Sequence, residues 1–262
     1  LTLFVLAACR ERLAPEDIPT PASIESMATA LPLTQNAPPA PYNANVTRFA
    51  EINAGLNQLA GGRYTVQLEF DGVYSDTQLA ADAQTQANVE FDQVSSARRV
   101  VFSTAGSLFG GDGEGVNADY EAARLGPDAF LVRDDVCLSS GGADAATAAD
   151  LSASALIGGL TTTTPIGRQA TINGEPVYAY EVTADTLNFP LVRLGDNGRM
   201  TIDSYELWIS PAKGAVVRYY VNMSVENAVL FDIPQPVTGQ LLVRYDAFDL
   251  GTPFNITVPF GC

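Results

Sequence analysis

The chain has 262 residues, with 14 Lys and Arg against 30 Asp and Glu, no histidine, and a formal net charge of −16 at pH 7. So acidic a surface repels phosphate backbones, which argues against nucleic acid as a partner. Without histidine there is no Ser-His-Asp triad and the commonest general base and metal ligand are missing, so no catalytic residue, metal or cofactor is assigned and a non-enzymatic protein is expected.

Residues 1–8 are apolar or small and run into Leu6-Ala7-Ala8-Cys9. This matches the lipobox of bacterial lipoproteins, in which the cysteine receives a diacylglycerol and becomes the N-terminus. Residues 1–8 are therefore read as a signal-peptide remnant, and Cys9 as the lipidation site and membrane anchor. That places the rest of the chain in the bacterial cell envelope, on the outer face of the cytoplasmic membrane or at the cell surface. Residues 9–44 hold Pro15, Pro19, Pro21, Pro32, Pro38, Pro39 and Pro41 among Ala, Thr, Ser and Asn. No hydrophobic period survives there, so the segment is read as a tether between anchor and domain.

Residues 45–262 are read as a single domain. Asn45 offers an N-cap, and Val46, Phe49, Ile52, Leu56 and Leu59 follow at helical spacing, which predicts a helix over 46–59 closed by Gly61-Gly62. From Arg63 the period becomes two. Tyr64, Val66, Leu68 and Phe70 share one face of a strand, and Thr65, Gln67, Glu69 and Asp71 share the other. Further strands are expected near 86–94, 97–105, 117–125 and 128–134, with a glycine-rich link at 106–116. Within that link, Gly111–Asp119 gathers oxygen ligands but departs from the calcium-loop spacing, so a plain loop is preferred. The Ala-rich run at 143–160 predicts a second helix. Strands resume at 166–172 and 176–184 around an Asn173-Gly174 turn, then at 198–210, 214–226, 238–247 and 254–259. The order gives an α+β fold, a large curved antiparallel sheet with two helices.

With Cys9 assigned to lipid, Cys137 and Cys262 form an even pair in an oxidising compartment. A disulfide is expected, two buried free thiols being the alternative. Acidic residues at alternating strand positions, such as Glu69, Asp71, Glu90 and Asp92, are read as a solvated face rather than a two-carboxylate site.

The stretches Ile172-Asn173-Gly174-Glu175-Pro176-Val177-Tyr178-Ala179-Tyr180-Glu181-Val182 and Glu206-Leu207-Trp208-Ile209-Ser210-Pro211-Ala212-Lys213-Gly214-Ala215-Val216-Val217-Arg218-Tyr219 resemble hairpins of the LolA/LolB-like superfamily, especially its LppX/LprG-type lipoproteins. The resemblance implies a half-barrel whose concave face is capped by the two helices and holds acyl chains in an apolar cavity. The family has no invariant ligand residue, so candidates are taken by position: Phe49, Ile52 and Leu56 on the first helix, Leu156 and Ile157 on the second, and Val66, Leu68, Phe70, Trp208 and Tyr219 on strands. The Cys137–Cys262 pair departs from the basic family pattern. The function expected is a lipid-anchored carrier or sensor for a lipid or other apolar ligand. The alternative is a structural or adhesive envelope module with a solid core.

Overall fold

The computed structural model describes residues 47–49, 51–110, 119–140 and 142–262. The chain divides into two units, Leu1–Pro38 and Pro39–Cys262, and every described residue belongs to the second. Residues 1–44, read above as signal-peptide remnant, anchor and tether, and residues 111–118 lie outside the described residues.

The first half contains β1 (Thr47–Phe49), β2 (Gly61–Tyr74), β3 (Ala80–Asp92), β4 (Ala97–Ala105), β5 (Tyr120–Leu125), β6 (Asp128–Arg133) and β7 (Val136–Ser140). Two short helices follow, α1 (Ala143–Ala149) and α2 (Ala153–Ile157). The second half contains β8 (Gly159–Thr163), β9 (Pro165–Ile172), β10 (Glu175–Tyr180), β11 (Leu187–Asn188), β12 (Val192–Ser210), β13 (Ala215–Leu230) and β14 (Val237–Phe248).

Eleven strands form one open antiparallel sheet in the order β7-β6-β5-β4-β3-β2-β14-β13-β12-β10-β9, and β1-β8-β11 form a small second sheet. The expected α+β half-barrel class is observed. Tight turns keep the meander in register. Asn173 and Gly174 have φ of 52° and 83°, and Asp134 and Asp135 have φ of 50° and 59°, the positive pair that a two-residue hairpin turn requires. On β2, Tyr64, Val66, Leu68 and Phe70 are buried while the intervening side chains are more exposed, as the period of two predicts. This buried side of the sheet is its inner face. α1 packs over β5 and β6, burying Ala122, Ala129 and Leu131 against Ala145 and Ala149. Arg124 fixes the end of α1 through two bonds to Asp150, Nε to Oδ1 at 2.7 Å and Nη2 to Oδ2 at 2.5 Å.

Three expectations need correction. The segment 46–59 is not one α-helix but strand β1, a turn, and a 3-10 turn over Ala54–Gln58. Cross-chain bonds override its helical period. β1 pairs with β8, the Ile52 amide donates to the Gly158 carbonyl at 3.0 Å, and Asn53 Oδ1 accepts from the Ser154 amide at 2.9 Å. Gly55 also sits where a Cβ would lie 2.1 Å from the Gly214 carbonyl, so a close backbone approach decides this segment. The run 143–160 is two helices and the start of a strand. Ser152 accepts from the Ala155 amide at 3.2 Å to begin α2, and Gly158, with φ of 62°, ends it. Finally, 254–259 forms no strand. Pro253 and Pro259 bracket it and withhold ladder donors.

The Cys137–Cys262 disulfide is present, with Cα atoms 5.0 Å apart and a sequence separation of 125. It joins the chain end to β7, the edge of the large sheet.

Candidate functional site

All ten candidate ligand-binding side chains are buried in one apolar cluster, none more than 7% exposed. Phe49 leaves β1, Ile52 and Leu56 the following turns, and Leu156 and Ile157 leave α2. Val66, Leu68 and Phe70 are on the inner face of β2. Tyr219 joins them, because it pairs with Tyr245, which pairs with Val66. Trp208 is the exception in direction. Tyr219 faces Leu207 across the ladder whereas Trp208 faces Arg218, on the opposite side of the sheet. There its Nε1 donates to Glu206 at 3.2 Å and the Arg168 guanidinium lies 5.5 Å from its ring centroid. The β-bulge between Ile202 and Ser204, where Asp203 is the extra residue, hides this switch from a simple strand count.

Buried polar atoms normally have hydrogen-bond partners. Among the described residues, six buried side-chain polar atoms have none: Thr85 Oγ1, Arg98 Nε, Arg133 Nε, Ser210 Oγ, and the hydroxyls of Tyr219 and Tyr245. Five of these belong to the inner face. Thr85 pairs with Leu68 across β2 and β3, and Arg98 pairs with Phe91, two steps along from Val89 and Ala87 on the same side of β3. Arg133 reaches the same face beside Tyr120, which pairs with Phe102. Tyr120 is pushed up to about 12 by burial, against the lowering pull of Arg133 and Arg98. Burial likewise raises the Tyr219 and Tyr245 phenols well above their ordinary value, so both remain hydrogen-bond donors at neutral pH. An apolar face thus carries two neutral phenols, a threonine hydroxyl and two guanidiniums with unspent donors.

Along β3 the inner positions are small: Ala81, Ala83, Thr85 and Ala87, all buried. The sequence pattern missed Thr85, Arg98, Arg133 and Tyr245. The signal for Arg98 was the alternation Arg98, Val100, Phe102 in β4, which puts a charge in an inward register.

Other titratable groups are satisfied locally. Asp246 accepts from Arg218 Nε at 2.9 Å and from the Tyr220 hydroxyl, on the outer face. The Ser95 hydroxyl, at 2.6 Å, holds Asp92 below its ordinary value, with the Val94 and Ser95 amides adding to the effect. Among the described residues, no group of three or more His, Cys, Asp or Glu side chains is arranged to hold a metal ion. Nor is any helix there long and apolar enough to cross a membrane.

Several concavities adjoin this core among the described residues, one of them an open groove of about 270 Å³ that reaches Phe70 and Ala83 beside Glu69, Asp71 and Asp82. An open cleft of about 500 Å³ lies between the C-terminal segment at Pro253, Phe254, Asn255 and Ile256 and the end of the β3–β4 hairpin, and none of the ten candidates lines it. A smaller, mostly polar pocket of about 90 Å³ opens at Arg98 and reaches Leu56.

No protein-family model matches the chain, and none of the curated proteins does. Two of the solved structures similar to it are the following. An uncharacterized conserved protein from Thermus thermophilus is 12% identical over 78% of this chain and 85% of its own, with a TM-score of 0.26. A LolA superfamily protein from Nitrosomonas europaea is 11% identical over 80% of this chain and 96% of its own, with a TM-score of 0.24.

Proposed function

We propose that this chain is a non-enzymatic, lipid-anchored protein of the bacterial cell envelope. It holds an amphiphilic ligand, a lipid or a comparable apolar molecule, against the inner face of its sheet. In this it follows the LppX/LprG-type lipoproteins that its hairpin motifs resemble. The observation that carries the reading is the gathering of five unpartnered buried polar atoms on the same face as the apolar cluster. An unmade buried hydrogen bond costs on the order of 1–3 kcal/mol, so a purely structural core gains nothing by keeping several on one face. An amphiphile supplies both apolar contact and acceptor oxygens.

The test is native mass spectrometry with solvent extraction of the full chain purified from a bacterial host. A co-purifying or back-titrated lipid supports the reading. No bound species, and no binding of a fatty-acid panel to the delipidated protein, overturns it. The anchor has its own test. Expressed behind a complete lipoprotein leader, the chain is expected to gain the mass of a diacylglycerol at Cys9 and to sediment with membranes. Cys9→Ser is expected to lose both properties, and membrane association that survives in Cys9→Ser would defeat the anchor assignment.

A second reading, a structural or adhesive envelope module with a solid core, is favoured by the near-complete burial of all ten candidates. The same extraction separates the two.

A further inference from the structure

We infer that the Arg98 pocket is a headgroup site for a singly charged oxyanion, the carboxylate or phosphodiester of an amphiphile whose chain enters the apolar cluster. The inference rests on the ligand-binding reading above and deepens it.

Arg98 is held without being neutralised. Its Nη2 donates to the Tyr64 hydroxyl at 2.6 Å and to the Leu151 carbonyl at 2.5 Å, and its guanidinium lies 5.7 Å from the Tyr64 ring centroid. Tyr64 and Leu151 orient the plane but carry no charge. Arg63, Arg99, Arg124, Arg193 and Arg218 each reach a carboxylate within 4.0 Å, and Arg98 reaches none among the described residues. Its Nε is buried with no partner. Arg133, Arg168, Arg199 and Arg244 likewise reach no carboxylate within 4.0 Å among the described residues, but Arg98 is the one that lines this pocket while fixed by Tyr64 and Leu151. A guanidinium presents five donors in a rigid fork suited to an oxyanion.

The pocket around it has the right size and lining. Its volume of about 90 Å³ equals the space of about three waters, at roughly 30 Å³ each, enough for a carboxylate or phosphate group. Asn53, Asn57 and Gln93 line it beside Arg98. Asn53 spends its oxygen on the Ser154 amide, which leaves its NH₂ to donate. Glu51 also lines the pocket and adds one negative charge, which selects against a multiply charged anion. The remaining lining includes Leu56, Tyr64 and Phe91, all members of the buried apolar cluster. A headgroup on Arg98 therefore stands beside the apolar cluster that its chain would contact.

Titration of the delipidated full chain with dodecanoate, dodecanol and acetate tests this. Dodecanoate is expected to bind at least about tenfold tighter than dodecanol, and acetate far more weakly than either. Lysophosphatidylglycerol, used as the phosphodiester arm, is expected to share the preference over dodecanol. In Arg98→Gln the preference for dodecanoate over dodecanol is expected to fall to near unity. Asn57→Asp, at an exposed position that bears none of the Arg98 contacts, keeps the test valid if Arg98→Gln fails to fold. It is expected to weaken dodecanoate severalfold relative to dodecanol. Equal binding of dodecanoate and dodecanol overturns the anion site while the ligand-binding reading stands. Acetate as tight as dodecanoate overturns the amphiphile. Binding of neither chain overturns both.

Discussion

Cys137→Ser is expected to lower the unfolding free energy by about 4 kcal/mol. The bridge closes a loop between residues separated by 125 positions, and cross-linking so long a loop withdraws roughly 4–5 kcal/mol of entropy from the unfolded chain. A native-state contribution adds to this at the edge of the sheet. Cys137 sits on β7, which among the described residues has β6 as its single strand neighbour, and Cys262 closes a segment without regular structure from 253 onward. That segment is otherwise held near its start, where the Gly251 amide donates to the Gly61 carbonyl at 2.8 Å. Urea unfolding followed by the fluorescence of Trp208, the single tryptophan, reads the loss directly. Cys262→Ser and the double variant are expected to match Cys137→Ser, since the two thiols act as one unit. A loss under about 1 kcal/mol, or unequal single variants, would defeat the assignment.

How much of this fold the residues announced depends on how large the inward side chains are. β2 alternates Tyr64, Val66, Leu68 and Phe70 against polar neighbours, and its face was legible. β3 obeys the same period with Ala81, Ala83, Thr85 and Ala87 inside, but alanine and threonine among glutamines give little contrast, so its first half went unread. The segment after Asn45 carried a helical spacing of apolar residues, yet partners far along the chain, at Gly158 and Ser154, drew it into strand and turn. No local window contains those partners. β12 begins six residues earlier than expected, because Gly195-Asp196-Asn197-Gly198 reads as a turn. In the structure it is a register irregularity between Leu194 and Arg199 inside a strand of 19 residues.

The site was legible in its apolar part and not in its polar part. Hydrophobicity alone selected ten positions that assemble into one cluster. Trp208 shows where that rule fails, since a bulge turned a large aromatic to the other face, where Arg168 covers it. The polar atoms that give the face its chemical character were invisible for a different reason. Whether a tyrosine hydroxyl or a guanidinium finds a partner is a property of the packed molecule. The disulfide was reached by subtraction, and the subtraction depended on Cys9, which lies outside the described residues.

Tyr219→Phe and Tyr245→Phe together are expected to stabilise the ligand-free chain by about 2–3 kcal/mol. Each phenol is fully buried, and neither hydroxyl has a hydrogen-bond partner among the described residues. Phenylalanine keeps the ring and its contacts, including the packing of Phe189 against Tyr219 at a centroid distance of 6.5 Å. Removing an unpartnered buried hydroxyl returns its desolvation cost, about 1–3 kcal/mol for each group. The two residues face one another across β13 and β14, so their effects are expected to fall short of a sum. A packed envelope module would show the stabilisation and nothing else. A ligand-binding face would show a second effect of opposite sign, since the removed hydroxyls are donors at neutral pH and an amphiphile's oxygens are acceptors. The double variant is therefore expected to unfold at higher urea and yet bind dodecanoate more weakly than the unsubstituted chain. A destabilisation of about 1 kcal/mol or more (roughly one ordinary hydrogen bond) would mean that the phenols are already paired inside the protein. The inner face would then lose the polar character on which the proposed function rests.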